Sequence, residues 1–442
     1  IINMAIKEEN KMEKIISLCK RRGFIFQGSE IYGGLSGTWD FGSLGVVLKD
    51  NIKQLWWKRF VENRDDMYKV DASILMNQNV WKASGHVSGF SDPLVQCKKC
   101  NHRFRADQIE DPSKCPDCEG GLGESRQFNM MFKTNVGPIE NEDSISYLRP
   151  ETAQGMFVNF KNVLDSFHPK LPFGLAQIGK AFRNEISPRD FIFRTREFEQ
   201  MEIEYFVDSK SWKETFESFK NEIHGFIKDI GINPKHIHEL EVPDGERAHY
   251  SKKTIDFEFD FPFGKDELYG LAYRTDFDLR QHSEVSKVDL SYYDEESKER
   301  FIPHCIEPSF GVERTVLAVL SDAYTEDEID GEKRVYLKFS PKMAPIKVAV
   351  FPLLKNKPAL VEKAREIYKM LKKEISGVAF DDNGNIGKRY RRQDEIGTPI
   401  CVTVDFDTIE KNAGVTVRDR DTGKQERVGI EELIKHIKEK VF

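Results

Sequence analysis

The stretch FRNEISPRDFIFRTREFEQMEIEYF, residues 182–206, places four arginines and six acidic residues among aromatic and β-branched residues. A surface loop does not need so many apolar residues, and a buried strand excludes so many charges. Its alternation predicts two antiparallel strands, 174–186 and 191–206, joined by SPRD. The pattern therefore favours a sheet in which one face packs and the other carries a polar site.

Strand side chains alternate between two faces, which sorts the residues of this hairpin. The apolar face is predicted to carry Met201, Ile203 and Tyr205, and the polar face Arg183, Glu185, Arg194, Arg196, Phe198, Gln200 and Glu202. Arginine suits phosphate oxygens, a phenylalanine ring can stack on a base, and carboxylates can hold an ammonium group. This face favours a nucleotide triphosphate site beside an amino acid, with a solvated sheet face laced by ion pairs as the alternative.

The size and composition of the chain limit the class of protein and its partners. Its 442 residues, 39% hydrophobic and 32% charged, are typical of a soluble folded protein with two or three domains. A net charge of −7 argues against a generally basic nucleic-acid coat but permits a local basic face. Neither a membrane-spanning run nor a secretory signal is evident in the sequence, so we expect a cytoplasmic protein without membrane contact.

Pattern along the chain predicts an N-terminal domain over 1–340 and a small α/β domain over 345–442, separated by a proline-rich boundary. The first domain is predicted to contain helices at 43–64 and 209–231, strands at 254–262 and 268–280, and two insertions, 92–125 and a partly helical 207–250. The second is predicted to run as strand 346–352, helix 357–374, strand 377–381, helix 385–396, strand 399–405, a strand pair over 413–430 and helix 430–440.

Two cysteine pairs lie in the first insertion. CKKC and CPDC place Cys97, Cys100, Cys115 and Cys118 at a spacing that lets four thiolates converge on one structural zinc ion. The alternatives are a knuckle that holds no metal and, with a weaker basis, a redox role. Cys19, Cys305 and Cys401 sit among apolar neighbours, and we expect them to be inert core residues.

Several segments of the chain carry a resemblance to a known family. Residues 182–206 resemble motif 2 of class II aminoacyl-tRNA synthetases, EPSFGVERTVLAVL (307–320) resembles motif 3, and the helix at 43–64 stands where motif 1 would. SEIYGGLSGTWDFGSLG, VWKASGHVSGFSDP, YLRPETAQGMFVNF, ELYGLAYRTDFDL and GKRYRRQDEIGTPICVTVDFD are similar to homodimeric glycyl-tRNA synthetases, from about residue 17 onward. Ser43 departs from the proline of that family, but serine can also cap the helix that follows.

The resemblance implies an α+β protein with a six- or seven-stranded antiparallel sheet, flanking helices and a C-terminal α/β anticodon-binding domain. It implies a homodimer that activates glycine with ATP and Mg²⁺ and transfers the glycyl group to the 3′ end of tRNA(Gly). Arg183, Glu185 and Arg314 would be catalytic, and Glu267 would be a magnesium ligand. The ATP site would comprise Arg183, Asn184, Glu185, Phe193, Arg194, Thr195, Arg196, Glu197, Phe198, Glu267, Leu268, Gly311, Val312, Glu313 and Arg314.

The same resemblance implies where glycine and tRNA bind. The glycine site would comprise Arg105, Glu151, Phe198, Glu199, Gln200, Met201, Glu202, Glu307, Pro308, Ser309, Phe310 and Gly311, although Glu151 and Glu307 could instead cap helices or form salt bridges. The anticodon contact would comprise Lys388, Arg389, Tyr390, Arg391 and Arg392, since cations match phosphates and an aromatic ring can stack a base. A charge run of this kind is also typical of a solvated helix face.

Three other functions compete with this interpretation. A related synthetase for threonine, proline or histidine would share the C-terminal domain but not the YLRPETAQG and EPSFG segments. A non-catalytic, synthetase-like accessory protein that binds nucleic acid would have lost Arg183, Glu185 or Arg314, and all three are present. A zinc-knuckle nucleic-acid-binding protein would leave the motif 3 resemblance without an explanation.

Overall fold

The computed structural model describes residues 2–248, 250–329 and 331–442. Within them, the helices are α1 (Ile2–Arg22), α2 (Ser43–Trp57), α3 (Gln78–Ala83), α4 (His86–Gly89), α5 (Ala153–Phe167), α6 (Trp212–Asp229), α7 (Phe277–Ser286), α8 (Val312–Ala323), α9 (Pro358–Glu374), α10 (Ile386–Glu395), α11 (Phe406–Glu410) and α12 (Leu433–Val441). A π-helical turn, Lys58–Glu62, extends α2 close to the predicted end at 64. In this described part of the chain, no helix combines the length and the apolar character that crossing a membrane requires.

The strands form several sheets. In chain order they are β1 (Ile25–Gln27), β2 (Trp39–Phe41), β3 (Met67–Lys69), β4 (Ser91–Gln96), β5 (Arg103–Arg105), β6 (Arg126–Asn129), β7 (Lys133–Asn135), β8 (Ile145–Tyr147), β9 (Phe173–Phe182), β10 (Glu197–Val207), β11 (Ile237–Glu241), β12 (Lys253–Phe261), β13 (Gly264–Thr275), β14 (Tyr292–Tyr293), β15 (Arg300–Phe301), β16 (His304–Gly311), β17 (Tyr324–Ile329), β18 (Glu332–Leu337), β19 (Val348–Pro352), β20 (Val378–Phe380), β21 (Ile400–Val404), β22 (Val415–Asp419) and β23 (Gln425–Val428).

The main sheet of the described residues has seven strands in the order β11-β12-β13-β16-β10-β9-β3. Six of them pair antiparallel, as expected, whereas β3 joins the edge parallel to β9. Met201, Ile203 and Tyr205 of β10 lie in a core with α2, α6 and α8. Phe206, from the alternate positions, packs against Phe160 of α5 on the other face. The remainder of that second face carries the polar site.

The predicted hairpin is shorter than expected. The β9–β10 ladder ends at the pair Phe182–Glu197, and residues 183–196 form a loop instead of the ends of two strands. The backbone N atoms of Asn184 and Arg196 donate to the carbonyls of Met130 and Gly37, both at 2.7 Å, which takes these residues out of the ladder. The predicted alternation therefore holds for β10 but not for the arginines of the loop.

Two other boundaries differ from the prediction. The strand expected over 268–280 ends at Thr275, whose φ angle of 60° turns the chain into α7. The predicted insertion 207–250 contributes directly to the main domain: α6 buries Phe216, Phe219, Ile223 and Phe226 in the core, and β11 is an edge strand of the main sheet. By contrast, the first insertion is a small sheet of its own, ordered β5-β4-β6, with the cysteine pairs beyond its strand ends.

The C-terminal part follows the predicted order of elements, with only the short α11 added to it. Its sheet, β20-β19-β21-β22-β23, pairs β19 parallel to β20 and β21 and the remaining strands antiparallel. Val348, Val350, Val402 and Leu433 belong to a core separate from that of the main sheet. The second domain is therefore an α/β unit, as the sequence predicts.

Candidate active site

A cavity of about 150 Å³ lies between the loop 183–196, strand β13 and the start of helix α8. Its lining is formed by Arg183, Glu185, Ile192, Phe193, Arg194, Thr195, Phe198, Gln200, Glu267, Leu268, Ser309, Gly311, Glu313 and Arg314. The structure thus brings together most of the residues expected to hold ATP. It adds Ile192, which sequence reasoning missed because an apolar residue among aromatics carries no chemical signal.

Arg196 fixes the loop and does not line the cavity. Its backbone N donates to the carbonyl of Gly37 at 2.7 Å, and its Nη1 donates to that of Ser36 at 2.7 Å. Its Nη2 donates to the backbone oxygen of Glu185 at 3.0 Å. The guanidinium is therefore committed to carbonyl oxygens, which leaves the other arginines to face the cavity.

Glu185 and Arg194 face each other in this cavity. The Oε2 atom of Glu185 lies 3.6 Å from Nη1 of Arg194. That oxygen and the Nε atom of Arg194 are both buried and without a hydrogen-bond partner among the described residues. Native structures rarely leave buried polar atoms unpaired, so this acceptor and this donor are available to a ligand in the cavity.

Two more arginines border the cavity on aromatic rings. The guanidinium of Arg183 lies 5.2 Å from the ring centre of Phe198, and its Nε donates to the carbonyl of Pro150 at 3.1 Å. Arg314 lies 4.4 Å from the ring centre of Phe193. Guanidinium groups held over aromatic faces are preorganised. Cations and flat rings together suit a phosphorylated, planar ligand.

Arg314 also contacts β13. Its Nη1 lies 3.0 Å from the carbonyl oxygen of Glu267 and 3.0 Å from the Oε2 atom of the same residue. Asp256, on the neighbouring strand, is close enough to this carboxylate that burial and then the charge of Glu267 raise its pKa to about 7. Two acidic groups thus stand beside the cation-lined cavity.

An acidic pocket adjoins the cavity through Gln200 and Ser309. The Oε1 atom of Glu202 accepts from Ser309 Oγ at 2.8 Å and from Gln200 Nε2 at 3.3 Å, and its Oε2 accepts from Thr152 Oγ1 at 2.5 Å. Glu202 is only 2% exposed. A buried, hydrogen-bonded carboxylate of this kind can receive an ammonium group.

A second layer of charged residues supports that pocket, and sequence reasoning assigned no role to most of it. Arg274 Nη1 donates to Glu307 Oε1 at 2.7 Å, and its Nε and Nη2 each donate to Asp278 at 2.8 Å. Gln154 donates to Glu151 and Asp278, both at 3.0 Å. Arg274 and Asp278 lie in the string YRTDFDL, where their separation of four residues was the available signal.

Charges in this layer are strongly coupled. Burial raises the pKa of Glu151, but the nearby charges of His86 and Arg274 outweigh it and hold that pKa below its usual range. Burial, followed by the charge of Glu151, raises the pKa of Glu202. Burial also raises the pKa of Glu307, against the opposing charge of Arg274. Burial and neighbouring carboxylates thus disfavour the ionised forms of Glu202 and Glu307, and an ammonium group in the pocket would favour them.

Several residues expected at the site have side chains elsewhere. Glu199, Met201 and Phe310 occupy the alternate positions of β10 and β16, which face the core. Val312 is buried in the same core. Arg105 pairs with Asp92 at 2.9 Å and Asp107 at 2.7 Å within the first insertion. The cavity lining also lacks four other expected residues, namely Asn184, Arg196, Glu197 and Pro308.

In the basic run 388–392, Lys388 is exposed, Arg389 is buried, and Arg391 and Arg392 are half-buried and bound to groups of the chain itself. Arg389 is 0% exposed and donates to the carbonyls of Asp382 and Gly384, at 3.2 and 2.7 Å. Arg391 bonds Glu332 of β18 at 2.7 Å, and Arg392 bonds Asp381 at 2.6 Å. These guanidinium groups hold α10 to its surroundings, because the acidic residues that match them are in the chain itself.

The four cysteines of the first insertion converge as predicted. The Sγ atoms of Cys97 and Cys118 are 3.5 Å apart, and those of Cys100 and Cys115 are 3.7 Å apart. All four lie within 4.8 Å of one another. Tetrahedral zinc, with Zn–S bonds of about 2.3 Å, requires sulfur–sulfur edges of roughly 3.8 Å. The donor set therefore fits a structural zinc ion.

Comparison with family models defines the class. The tRNA synthetase class II core domain (G, H, P, S and T) matches residues 132–323, and an anticodon binding domain matches residues 347–440. The antiparallel sheet, the arginine-lined cavity and these matches define a class II aminoacyl-tRNA synthetase.

Curated relatives narrow the class. A glycine–tRNA ligase of Clostridium acetobutylicum is 49% identical over 466 aligned positions, which cover 99% of this chain and all of the relative. Those of Caldanaerobacter subterraneus subsp. tengcongensis and Borreliella afzelii are 50% and 51% identical, with 97% and 98% of this chain covered and 98% of each relative. The chain belongs to the glycine–tRNA ligase family.

Proposed function

We propose that the protein activates glycine with ATP and transfers the glycyl group to tRNA(Gly). A carboxylate oxygen of glycine attacks the α-phosphorus of ATP, and pyrophosphate leaves. A ribose hydroxyl of the tRNA's terminal adenosine then attacks the glycyl carbonyl, and AMP leaves. The observation that carries the proposal is the cavity where unpaired Glu185 and Arg194 atoms adjoin the acidic pocket around Glu202.

On the ATP side, the chain's own groups position and neutralise phosphates, and no covalent enzyme intermediate is needed. Arg183 would hold the α-phosphate and the glycine carboxylate together as they react. Arg194 and Arg314 would contact the outer phosphates, and Glu185 would accept from the adenine. Phe198 would stack on the base. The orphan atoms and the cation-on-ring contacts support these roles.

On the amino-acid side, Glu202 and Glu307 would balance the ammonium group, with Gln200 and Ser309 orienting them. Glycine offers no side chain to grip, so selectivity would come from a site too small for larger amino acids. The close hydrogen bonding of Glu202 to Ser309 and Thr152 supports a narrow pocket.

Two metals fit the residues present. Glu267 and the phosphates of ATP would hold Mg²⁺, which neutralises phosphate charge, and Asp256 stands close enough to support it. Cys97, Cys100, Cys115 and Cys118 would hold a structural zinc ion that orders the first insertion.

The remaining assignments concern partners and organisation. A catalytic domain over 1–340 and an anticodon-binding domain over 345–442 are supported by the two family matches. The second domain would contact tRNA(Gly), with Lys388 as the exposed cation of the run 388–392. We also propose a cytoplasmic location and a homodimer; the dimer is supported by exposed apolar side chains at and before α2, namely Ile31, Tyr32, Val46 and Val47. A monomeric active protein in light scattering would refute the dimer.

The test is ATP–pyrophosphate exchange with each of the twenty amino acids, magnesium and no tRNA. Exchange with glycine alone is expected. Exchange with another amino acid would support the assignment of the adenylation site but refute the assignment of the glycine pocket. No exchange from folded protein would favour a non-catalytic accessory protein.

A further inference from the structure

Lys49, on α2, is a buried cation outside the cavity. It is 6% exposed, and its Nζ atom lies 2.9 Å from Oε1 of Glu313 and also contacts the carboxylate of Glu199. The Oε2 atom of Glu313 accepts from the backbone N of Glu199 at 2.7 Å. Three elements that are distant along the chain, α2, β10 and α8, therefore meet in one ion cluster.

Both oxygens of Glu313 are occupied by this cluster, although Glu313 also lines the ATP cavity. The next residue is Arg314, whose guanidinium stands over Phe193. A carboxylate whose two oxygens are fixed cannot shift its backbone freely, so the cluster also fixes where α8 begins. Removal of this cation would leave Glu313 buried without a cation and Glu199 with only Lys53, at 3.5 Å.

We infer that Lys49 is a positioning residue of the ATP site: by binding Glu313 and Glu199 it sets the start of α8, and with it Arg314, against β10. The inference rests on the proposed function for its choice of assay. It does not require contact between Lys49 and any substrate. Under this inference, α2 affects the binding of ATP but not the binding of glycine.

The experiment compares Lys49→Met with Lys53→Met. Lys53 is the matched control because it lies one turn further along α2 and its Nζ reaches Glu199 at only 3.5 Å; no ion pair joins it to Glu313 in the described structure. Lys49→Met should lower kcat/KM for ATP in glycine-dependent exchange by about 10-fold or more, since misplaced groups cost up to ~100-fold. KM for glycine should stay within about 2-fold, and Lys53→Met should match wild type within about 2-fold.

A second variant and a second readout keep the outcome decisive. Glu313→Gln preserves shape while weakening the cluster, and it should show the same ATP-selective loss if Lys49→Met does not fold. Equal losses for ATP and glycine, or none in either folded variant, would overturn the inference. Calorimetric measurement of ATP binding separates this inference from the proposed function. Wild-type protein that binds ATP but shows no glycine-dependent exchange would refute glycine as the substrate. In that case the ATP affinities of the variants would still test the role of Lys49.

Discussion

The Oε2 atom of Glu185 lies 3.6 Å from the Nη1 atom of Arg194, and no hydrogen bond joins the two side chains. Opposite charges this close in a buried place ordinarily complete a bidentate pair. Here the two side chains do not form such a pair, and each keeps a polar atom without a hydrogen-bond partner among the described residues. The arrangement suits two groups that serve different parts of one ligand.

Glu185→Gln should weaken ATP use selectively. The amide replaces one acceptor oxygen with a donor at constant size, and a hydrogen bond to a charged group contributes about 1.5–3 kcal/mol. We expect kcat/KM for ATP to fall by about 10- to 150-fold in exchange assays. Glu197→Gln, which removes a surface partner of Lys180, is the control and should be near wild type. Equal activity of the two variants would contradict the role of Glu185.

Arg183→Ala should abolish adenylate formation and spare the fold. Loss of a donor aimed at developing charge costs roughly 100- to 1000-fold in rate. The measurement is exchange with glycine, together with thermal unfolding by circular dichroism. Arg189→Ala in the same loop is the control, because Arg189 is half exposed and pairs with Asp190. Turnover like that of the wild type would refute the assignment.

Arg274→Met should be strongly destabilising. The change leaves Glu307 and Asp278 buried without their cation, and breaking a buried ion pair in this way costs about 3–5 kcal/mol. Arg300→Met removes an exposed pair with Asp289 and should cost about 0–1 kcal/mol. Urea unfolding of both variants checks the difference, and a loss below about 1 kcal/mol for Arg274→Met would show that the network is dispensable.

Asp256 should make stability depend on pH. Its pKa is raised from 3.8 to about 7, by burial first and by Glu267 next. Between these values the folded protein keeps a proton that the unfolded chain has released, so the Asp256 contribution to stability falls as pH rises toward 7. Asp256→Asn removes this pH-dependent loss of folding stability, because an amide does not ionise. Its advantage in melting temperature over wild type should therefore widen from about pH 4 to about pH 8, and a constant difference would be evidence against the shift.

Cys115→Ser should remove the metal from the first insertion. The wild-type chain is expected to carry about one zinc ion per chain, since four thiolates form a closed site. Elemental analysis of both proteins checks this, with Cys401→Ser, which alters a buried cysteine of the second domain, retaining the ion. Wild-type protein that holds no zinc after refolding with it would overturn the assignment.

Periodicity predicted most of the elements because their buried faces repeat regularly. The stripe of α6 and the alternation of β10 are examples: Phe216, Phe219, Met201 and Ile203 are all buried. The same reasoning failed at residues 183–196, where the backbone N atoms of Asn184 and Arg196 donate to Met130 and Gly37 and so leave the ladder. Polar alternation on either side of a loop resembles that of a strand, so sequence could not separate them.

Residues around the site were predictable where their chemistry is specific. Four cysteines at knuckle spacing and the arginines of residues 182–206 were identified from residue type and spacing, whereas Arg314 was identified from the resemblance to motif 3. Arg274 and His86 were missed because each acts through partners distant in sequence: Arg274 meets Glu307, and His86 lies 3.4 Å from Glu151. Folding of the sheet brings such distant residues together, and a single sequence does not show which of them will meet.

The intramolecular bonding of three arginines in the run 388–392 has a consequence for how RNA affinity depends on salt. A cation contributes to counterion release only if it is free to replace the ions condensed on a phosphate. Arg389, Arg391 and Arg392 are bound to carbonyls and carboxylates of the chain itself. The steepness with which tRNA binding declines as salt is added is therefore expected to depend on Lys388, the exposed cation of this run, and on cations elsewhere in the chain. Three of the four cations in this stretch would then contribute to the cohesion of the second domain more than to the salt dependence of its RNA affinity.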